Sequence, residues 1–244
     1  MTRTSLILIA AMSLPFASAI TAGPVEFQSA PSKTHLLELF TSEGCSSCPP
    51  AEAWLSGLKD DARLWRDFVP VAFHVDYWDN LGWRDPYASK AWTARQYQYA
   101  SHWKSGSVYT PGFVLDGEEW SSRTALTKAT ETPGVLKINV ASTEDVTGSF
   151  APAKADNVTL ELHVARLGFS LTTDVKAGEN SGRKLRHDFV VLALGSAKMV
   201  DGKVEVHLSA GSAPVRSDSR GAVVAWVTAL GASEPIQAVG GWTR

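Results

Sequence analysis

Residues 36–58, LLELFTSEGCSSCPPAEAWLSGL, carry the pattern that decides the fold of the surrounding chain. The segment opens on an apolar run that stops at a turn ending in Gly44, which is typical of a buried strand. Beyond the turn, four apolar residues recur at the spacing of a helix: Ala51, Trp54, Leu55 and Leu58. The segment therefore predicts a strand, a turn and a helix, and both cysteines of the chain, Cys45 and Cys48, lie in the turn.

The segments that follow predict further elements of an α/β unit. Asp116-Gly117 separates Gly112–Leu115 from Glu118–Trp120, and this dipeptide is a strong signal for a tight hairpin. Apolar runs and helical periodicity predict the other elements. These are a helical segment at 62–68, a strand at 69–75, a helix at 88–103 and a helix that Ser121 or Ser122 caps and that ends near Thr130.

After Pro133-Gly134 the sequence changes to an alternation of apolar and polar residues. Six or so strands separated by Gly, Ser and Asp turns predict an all-β, sandwich-like unit. Within it, we expect His163 and His207 on solvent-facing sides of strands. Five of the predicted strands are 136–140, 158–164, 189–194, 204–208 and 223–230. A solvated loop is expected for the basic residues Arg183, Lys184, Arg186 and His187.

A Cys45-Ser-Ser-Cys48 motif between a strand and a helix is typical of thiol redox chemistry. Backbone amides at a helix start favour a thiolate, so Cys45 is the expected nucleophile. Cys48, further into the helix, would resolve the mixed disulfide. Pro49 and Pro50 place the first helical turn near Cys48, which leaves Cys45 on the turn before it. Exchange of this kind needs sulfur atoms at an accessible surface.

Two other interpretations of the cysteine pair remain open. One is an inert structural disulfide, although a two-residue loop constrains the unfolded chain very little. The other is metal capture, in which His74, Asp76 and Asp79 would have to help complete a zinc site of four ligands. A histidine within an apolar strand is more typical of a packed core, so we expect no metal.

Residues 76–109 hold all five tyrosines and four of the nine tryptophans of the chain. Packing of an insertion onto the core explains such a concentration, because these side chains bury large areas. The functional alternative is an apolar surface beside Cys45 that receives a peptide or another ligand. The candidate substrate-binding residues are Trp83, Tyr87 and Tyr109.

Composition and the N-terminus restrict the class and location of the protein. The 244 residues are 44% hydrophobic and 20% charged, which is ordinary for a globular chain. A formal net charge of −2 gives no basis for a nucleic-acid partner. A basic start, an apolar run over Leu6–Leu14 and a small-residue site at Ala17–Ala19 predict a signal peptide cleaved after Ala19. We therefore expect a periplasmic or secreted protein with no integral membrane association.

The order of strand, Cys-x-x-Cys, helix, strand and hairpin resembles the thioredoxin superfamily. In that family a Thr or similar residue precedes a cis-proline, which faces the cysteine pair and receives the substrate backbone. Thr110-Pro111 matches this position, so the resemblance implies that these two residues position the partner of Cys45. The chain departs from typical thioredoxins in having no Trp before Cys45, Ser-Ser between the cysteines and a long aromatic insertion.

More narrowly, the chain resembles domain of unknown function 1223, an uncharacterised family of secreted bacterial proteins. The similarity covers the mature chain and implies a thioredoxin-like fold, with no established activity. The motifs that carry it are LFTSEGCSSCPPAE at 39–52, HVDYWD at 74–79, LGWRD at 81–85, YTP at 109–111, GENSG at 178–182 and LRH at 185–187.

These observations predict an α/β, thioredoxin-like N-terminal domain with a central mixed sheet, flanking helices and an aromatic helical insertion, followed by an all-β sandwich-like domain. The predicted divisions are a signal peptide at 1–19, a linker at 20–32 and domains at 33–133 and 134–244. The predicted function is thiol-disulfide exchange with protein or small-molecule thiols, without a cofactor. Its catalytic residues are Cys45, Cys48, Thr110 and Pro111. The alternative is a non-catalytic secreted binding module with a structural disulfide.

Overall fold

The structure, a computed structural model, describes residues 24–121, 126–142, 144–155, 157–209 and 221–243. Within these ranges the helices are α1 (Cys48–Gly57) and α2 (Lys90–His102), with 3-10 turns at Leu58–Asp60 and Asp79–Leu81. The first seven strands are β1 (Val25–Gln28), β2 (His35–Thr41), β3 (Phe68–His74), β4 (Gly112–Leu115), β5 (Glu118–Glu119), β6 (Gly134–Val140) and β7 (Asp145–Pro152). The remaining strands are β8 (Leu160–Gly168), β9 (Leu171–Asp174), β10 (Lys184–His187), β11 (Val190–Lys198), β12 (Lys203–His207), β13 (Gly221–Ala229) and β14 (Pro235–Trp242).

Eight strands form one mixed sheet in the order β14-β13-β8-β11-β3-β2-β4-β5. Strands β2 and β3 are parallel, and β4 runs antiparallel to β2. Strand β11 lies on the other side of β3, where the amide of Ala72 donates to the carbonyl of Phe189 at 2.8 Å. All residues of β3 are buried, as expected for a central strand that is covered on both faces.

Two smaller sheets accompany the large one. A four-stranded sheet, β1-β6-β7-β12, packs on β8, β11, β13 and β14 through an aliphatic core. The hairpin of β9 and β10 lies beside α1. A second core, rich in aromatic residues, surrounds β2 and β3 and includes Phe40, Phe73 and Tyr99.

The local predictions around the cysteine motif are confirmed. The apolar run before the motif is β2, the helix begins at Cys48, and α2 lies within the predicted helix at 88–103. Asp116 and Gly117 have φ angles of 51° and 91°, the left-handed values that a tight hairpin between β4 and β5 requires. Sequence signals that depend on a few neighbouring residues therefore translate directly into structure here.

The predicted fold class is wrong. The described residues hold two α-helices against fourteen strands, and strands from both halves of the chain join the large sheet. An α/β domain with flanking helices, followed by a separate all-β sandwich-like domain, is therefore not evident. The physical reason lies in strands such as β13, whose interior is buried throughout and which needs neighbours at both edges. The domain boundary at residue 133 stays a prediction.

Two predicted helices are also wrong. Residues 62–67 form turns around an isolated β-bridge at Leu64, because Trp65 has a φ of 67°, which interrupts a right-handed helix, and β3 begins at Phe68. Of the helix predicted to end near Thr130, residues 126–130 are not helical, and residues 122–125 lie outside the described residues.

The predicted signal peptide at 1–19 also lies outside the described residues. Within the predicted linker, β1 pairs with β6.

Candidate functional site

The two cysteines form a disulfide at the start of α1. Cys45 and Cys48 are joined with their Cα atoms 5.5 Å apart, and Pro49 and Pro50 occupy the first helical turn. Cys45 lies on the preceding turn, where its amide donates to the carbonyl of Ser42 at 3.2 Å. This confirms the predicted placement of the helix start.

The loop that contains Pro111 lies against the cysteine pair. The Thr110–Pro111 peptide bond is cis, as the sequence resemblance implies. The Sγ atom of Cys45 lies 3.8 Å from the carbonyl oxygen of Thr110. Trp78 holds this loop, because its indole Nε1 donates to Thr110 Oγ1 at 2.8 Å. Trp78 also packs closely on Gly44, where a Cβ atom would lie 2.8 Å from the Cβ of Trp78.

The expectation of accessible sulfur atoms is wrong, since Cys45 and Cys48 have 0% exposure. The loop between β9 and β10 holds the cysteine segment from the other side. The side-chain amide of Asn180 donates to the carbonyls of Glu43 and Cys45, at 2.8 and 2.9 Å. Glu179 accepts a 2.9 Å hydrogen bond from the amide of Ser46. We call residues 176–182 the covering loop.

A cluster of buried charged groups, Glu43, Glu52 and His187, lies behind the disulfide, and we call it the charged cluster. His187 contacts two carboxylates, with Nε2 2.9 Å from Glu43 Oε1 and Nδ1 in a short hydrogen bond to Glu52 Oε2. Burial alone would lower the pKa of His187, but these two hydrogen bonds outweigh it and raise the pKa to about 10. For Glu52, burial favours the neutral acid, yet His187 holds its pKa below the ordinary value. The ring is therefore an imidazolium between two carboxylates.

A second histidine, His74, lies beside the charged cluster. His74 Nδ1 lies 2.7 Å from Asp85 Oδ2, and the ring centroids of His74 and His187 are 5.0 Å apart. Burial opposes protonation of His74, but the charge of Asp85 raises its pKa above the ordinary value. Asp85 also accepts a 2.8 Å hydrogen bond from the amide of Glu43, which ties this pair to the cysteine segment.

The predicted substrate-binding residues lie in three different environments. Trp83 donates from Nε1 to Glu43 Oε2 at 2.7 Å, so a hydrogen bond joins the aromatic segment to the charged cluster. Tyr87 is 7% exposed and packs edge-on against His74 and His187, so it does not offer a surface. Tyr109 is 47% exposed beside the Pro111 loop, and burial of part of its ring raises its pKa to about 12. Of the three residues, Tyr109 is the most exposed, Trp83 is half-buried, and their role in binding stays a prediction.

Two histidine expectations need correction. His187, expected in a solvated loop, is 1% exposed. His163 is not on a solvent face, because it stacks on Trp226 with ring centroids 5.3 Å apart. The contacts of Asp76 and Asp79 do not support the alternative in which they complete a metal site with His74 and the cysteines. Thr93 donates to Asp76, and Asp79 accepts from the amide of Asp85.

Sequence reasoning assigned no role to Glu52, Asp85, Asn180 or His187, although all four lie in the motifs that carry the family resemblance. A signal exists for Glu52, which follows Cys48 by four residues and so shares its face of α1. The others come from distant segments that the fold brings together, and neither spacing nor periodicity encodes that contact.

A sequence profile of a family described as a protein of unknown function, DUF1223, matches residues 36–228. The chain belongs to the DUF1223 family. The predicted family is thus confirmed, while the superfamily part of the resemblance is not. The matched region contains the cysteine pair, the charged cluster and the covering loop of this DUF1223 protein. A search of curated proteins finds no match.

Two solved structures are similar to this DUF1223 chain. Protein AGR_C_4864 from Agrobacterium tumefaciens is 27% identical, with a TM-score of 0.59 over 86% of this chain and 94% of that one. HBP35 of Porphyromonas gingivalis is 14% identical, with a TM-score of 0.58 over 87% of this chain and 76% of that one. The second similarity concerns the fold alone.

Neither helix in the described part of the chain has the length and apolar character that crossing a bilayer requires.

Proposed function

We propose that this DUF1223 protein exchanges disulfides with protein or small-molecule thiols through Cys45 and Cys48. The observation that carries the proposal is a disulfide closed across two exposed serines at a helix start, 3.8 Å from the backbone of Thr110. A bond across so short a loop contributes little to global stability, because the entropy it removes from the unfolded chain grows with loop length. A reversible bond is the better use of such a pair.

The reaction begins from the oxidised pair. A partner thiolate attacks Cys45 Sγ, and the electron pair of the Cys45–Cys48 bond leaves on Cys48, which becomes a thiolate or takes up a proton. A second partner thiolate then attacks the partner sulfur of the mixed disulfide and releases Cys45. The partner gains a disulfide, and the protein gains two thiols. The same steps in reverse reduce a partner, so the direction depends on relative potentials.

Burial of both sulfur atoms means that a partner reaches Cys45 only after part of the site opens. We infer that the covering loop is the segment that opens, since it holds the cysteine segment through hydrogen bonds of Asn180 and Glu179. Thr110 and Pro111 then lie beside Cys45, where they are suited to position the partner backbone.

A trapping experiment tests the proposal. In Cys48→Ser, Cys45 is the single thiol, and we expect it to form a stable mixed disulfide with oxidised glutathione, seen as a mass increase of the intact protein. In the matched control Cys45→Ser, the thiol of Cys48 lies within α1 and should react far more slowly. No adduct on Cys48→Ser, together with failure of Cys45 to alkylate in the reduced wild-type protein, would contradict the proposal.

A loop variant tests the opening step. Asn180→Ala removes two hydrogen bonds of about 1 kcal/mol each to the cysteine segment, so we expect reduction by dithiothreitol to be at least about tenfold faster. Ser181→Ala is the control, because Ser181 bonds to Lys176 within the covering loop and does not bond to the cysteine segment. Equal rates in Asn180→Ala and wild type would show that the site opens elsewhere.

The burial of the sulfurs favours a second candidate, a non-catalytic binding module whose disulfide is structural. In that case Tyr109, exposed beside the Pro111 loop, would belong to the binding surface. The two candidates differ in one observable, because a structural disulfide resists reduction by glutathione and an exchanger does not.

The proposal includes a periplasmic or secreted location, which the sequence of residues 1–19 supports. An oxidising compartment is also where a disulfide persists. N-terminal sequencing of exported protein should give a chain that begins at Ile20, and a start at Met1 would contradict this part of the proposal.

A further inference from the structure

We propose that Glu52, His74 and His187 form a binding site for one divalent transition metal ion, with zinc as the preferred occupant. One ligand atom of each residue lies within 4.8 Å of the ligand atoms of the other two, and all three residues are buried. The proposal does not rest on thiol exchange, since none of the three ligands is a cysteine.

The separations suit a single ion after a small adjustment. Zinc takes histidine nitrogen and carboxylate oxygen at about 2.0–2.2 Å. Ligand atoms around one tetrahedral ion therefore lie about 3.4 Å apart. The hydrogen bond between His187 Nδ1 and Glu52 Oε2 would lengthen as the ion replaces the proton between them, and the ring of His74 would turn slightly inward.

The groups behind each ligand have the arrangement of an outer coordination shell. Asp85 accepts at Nδ1 of His74, and Glu43 accepts at Nε2 of His187, so a carboxylate orients each ring through the nitrogen that would not face the ion. Thr41 donates to Glu52 Oε1 at 2.6 Å, which leaves Oε2 directed at the rings. Histidines that bind metals are characteristically held in this way.

An unpartnered nitrogen gives independent evidence for a ligand. With Nδ1 of His74 occupied by Asp85, the second ring nitrogen is Nε2, and it is buried without a hydrogen-bond partner among the described residues. The side chain of His74 is 0% exposed, so bulk water does not compensate this atom. Buried polar groups are normally paired, and a metal ion would supply the missing partner.

The charges of the cluster also fit a divalent cation. Three buried carboxylates, those of Glu43, Glu52 and Asp85, surround the two rings. A divalent ion bound between the two rings would place positive charge next to these three carboxylates.

The donor set indicates the class of metal. Two imidazole nitrogens and one carboxylate oxygen suit zinc and its first-row neighbours, whereas calcium and magnesium prefer sites built from oxygen. Three protein ligands leave one coordination position for water or another small ligand.

The test uses the full chain without a histidine tag and with the Cys45–Cys48 disulfide kept oxidised, so that sulfur does not bind zinc. The protein is stripped with a chelator, incubated with zinc and desalted, and metal is measured by mass spectrometry. We expect one zinc ion per chain in the wild type. His74→Gln and Glu52→Gln should lower zinc affinity more than about 100-fold, the upper range for loss of an outer-shell partner.

His207→Gln is the matched control, because His207 pairs with Asp145 on the exposed side of β12, away from the cluster. It should bind zinc as the wild type does. A wild type that retains no zinc, or a His74→Gln variant that retains as much as the wild type, would overturn the proposal.

A measurement on the unmutated protein covers the case in which a variant does not fold. In protein labelled with ¹⁵N-histidine, one equivalent of zinc should shift the ring nitrogen signals of His74 and His187 and leave those of His207 and His163 unchanged. Shifts confined to other histidines would show binding elsewhere and would contradict the site.

Discussion

The two cores of this protein bury different kinds of side chain. The core between the four-stranded sheet and the large sheet is lined by aliphatic side chains such as Leu136, Ile138 and Leu162. The core around β2 and β3 instead encloses charged groups among aromatic rings. An apolar core needs only shape complementarity, whereas every buried charge must be compensated.

The difference indicates where the protein contains buried charged groups that stability alone does not require. A buried ion pair is weak evidence for stabilisation, because a well-packed apolar replacement often does as well. Two sets of buried charged groups lie within the aromatic core: Glu38 with Arg95, and His74 and His187 with their carboxylates behind the disulfide. The second set adjoins the disulfide proposed for exchange and contains the ligands proposed for the metal ion, which gives a chemical reason to keep it.

The largest expected effect comes from breaking a charge pair of the aromatic core. Arg95 donates two hydrogen bonds to Glu38, at 2.6 and 2.9 Å, and the Glu38 side chain is 0% exposed. Arg95→Met leaves that carboxylate without its cation, with the Tyr99 hydroxyl as a remaining donor, and should lower the free energy of unfolding by about 3–5 kcal/mol. Urea denaturation measures this change in the free energy of unfolding. In Glu38→Gln/Arg95→Met the loss should be smaller than the sum of the single losses, and additive losses would contradict the pairing.

A comparable substitution in the aliphatic core should cost no more than Arg95→Met, and its effect should not depend on charge. Ile138 is fully buried in β6, and Ile138→Ala removes apolar contacts without exposing a polar group. We expect the free energy of unfolding to fall by about 2–5 kcal/mol, and Ile138→Val to cost about 0.5–1.5 kcal/mol. If the cost of Ile138→Ala varied strongly with pH, the aliphatic core would not be electrically neutral as described.

A third prediction concerns acid. Burial lowers the pKa of His163 to about 3, and nearby Arg95 acts in the same direction despite Glu161 at 3.7 Å. The unfolded chain, with an ordinary pKa of about 6.5, therefore binds the proton first. Stability of the wild type relative to His163→Gln should fall as pH drops from about 6.5 towards 3, by up to about 1.4 kcal/mol per pH unit.

Thermal or urea unfolding of both proteins across that range gives the comparison. Above pH 6.5 the difference between wild type and His163→Gln should be constant. A difference that does not change at all between pH 6.5 and 4 would mean that His163 titrates equally in the folded and unfolded states.

The smallest effect is expected at the surface of the four-stranded sheet. Lys137 and Glu26 form an ion pair at 3.2 Å in which both side chains are about half exposed. Lys137→Met should change the free energy of unfolding by less than about 1 kcal/mol, because solvent screens exposed pairs. A loss as large as that of Arg95→Met would show that exposure does not distinguish the two pairs.

The sequence predicts the local structure around the cysteines well, because that structure depends on nearby residues. The run before Thr41 is one strand, Pro49 and Pro50 begin α1, and Asp116-Gly117 forms the hairpin turn. Each signal acts within a few residues, where propensity and backbone geometry decide the outcome. The periodicity at 88–103 predicts α2 for the same reason.

The long-range arrangement is not predicted, because alternation does not say which strand lies beside which. The strand at 189–194 is correctly expected, but its pairing with β3 places it in the large sheet rather than in a separate sandwich. The same limit applies to the site. His187 looks like part of a basic surface loop in the sequence, and it is buried because Glu43 and Glu52 meet it from distant segments.

The most direct test of the proposed exchange is the equilibrium between the Cys45–Cys48 disulfide and a glutathione redox buffer. Alkylation and intact mass give the reduced fraction of the wild-type protein at each glutathione ratio. Exchange predicts a reduction potential between about −270 and −120 mV, in the range of known oxidoreductases. A potential below about −300 mV, with the bond still closed in fully reduced glutathione, would identify a structural disulfide and contradict the account.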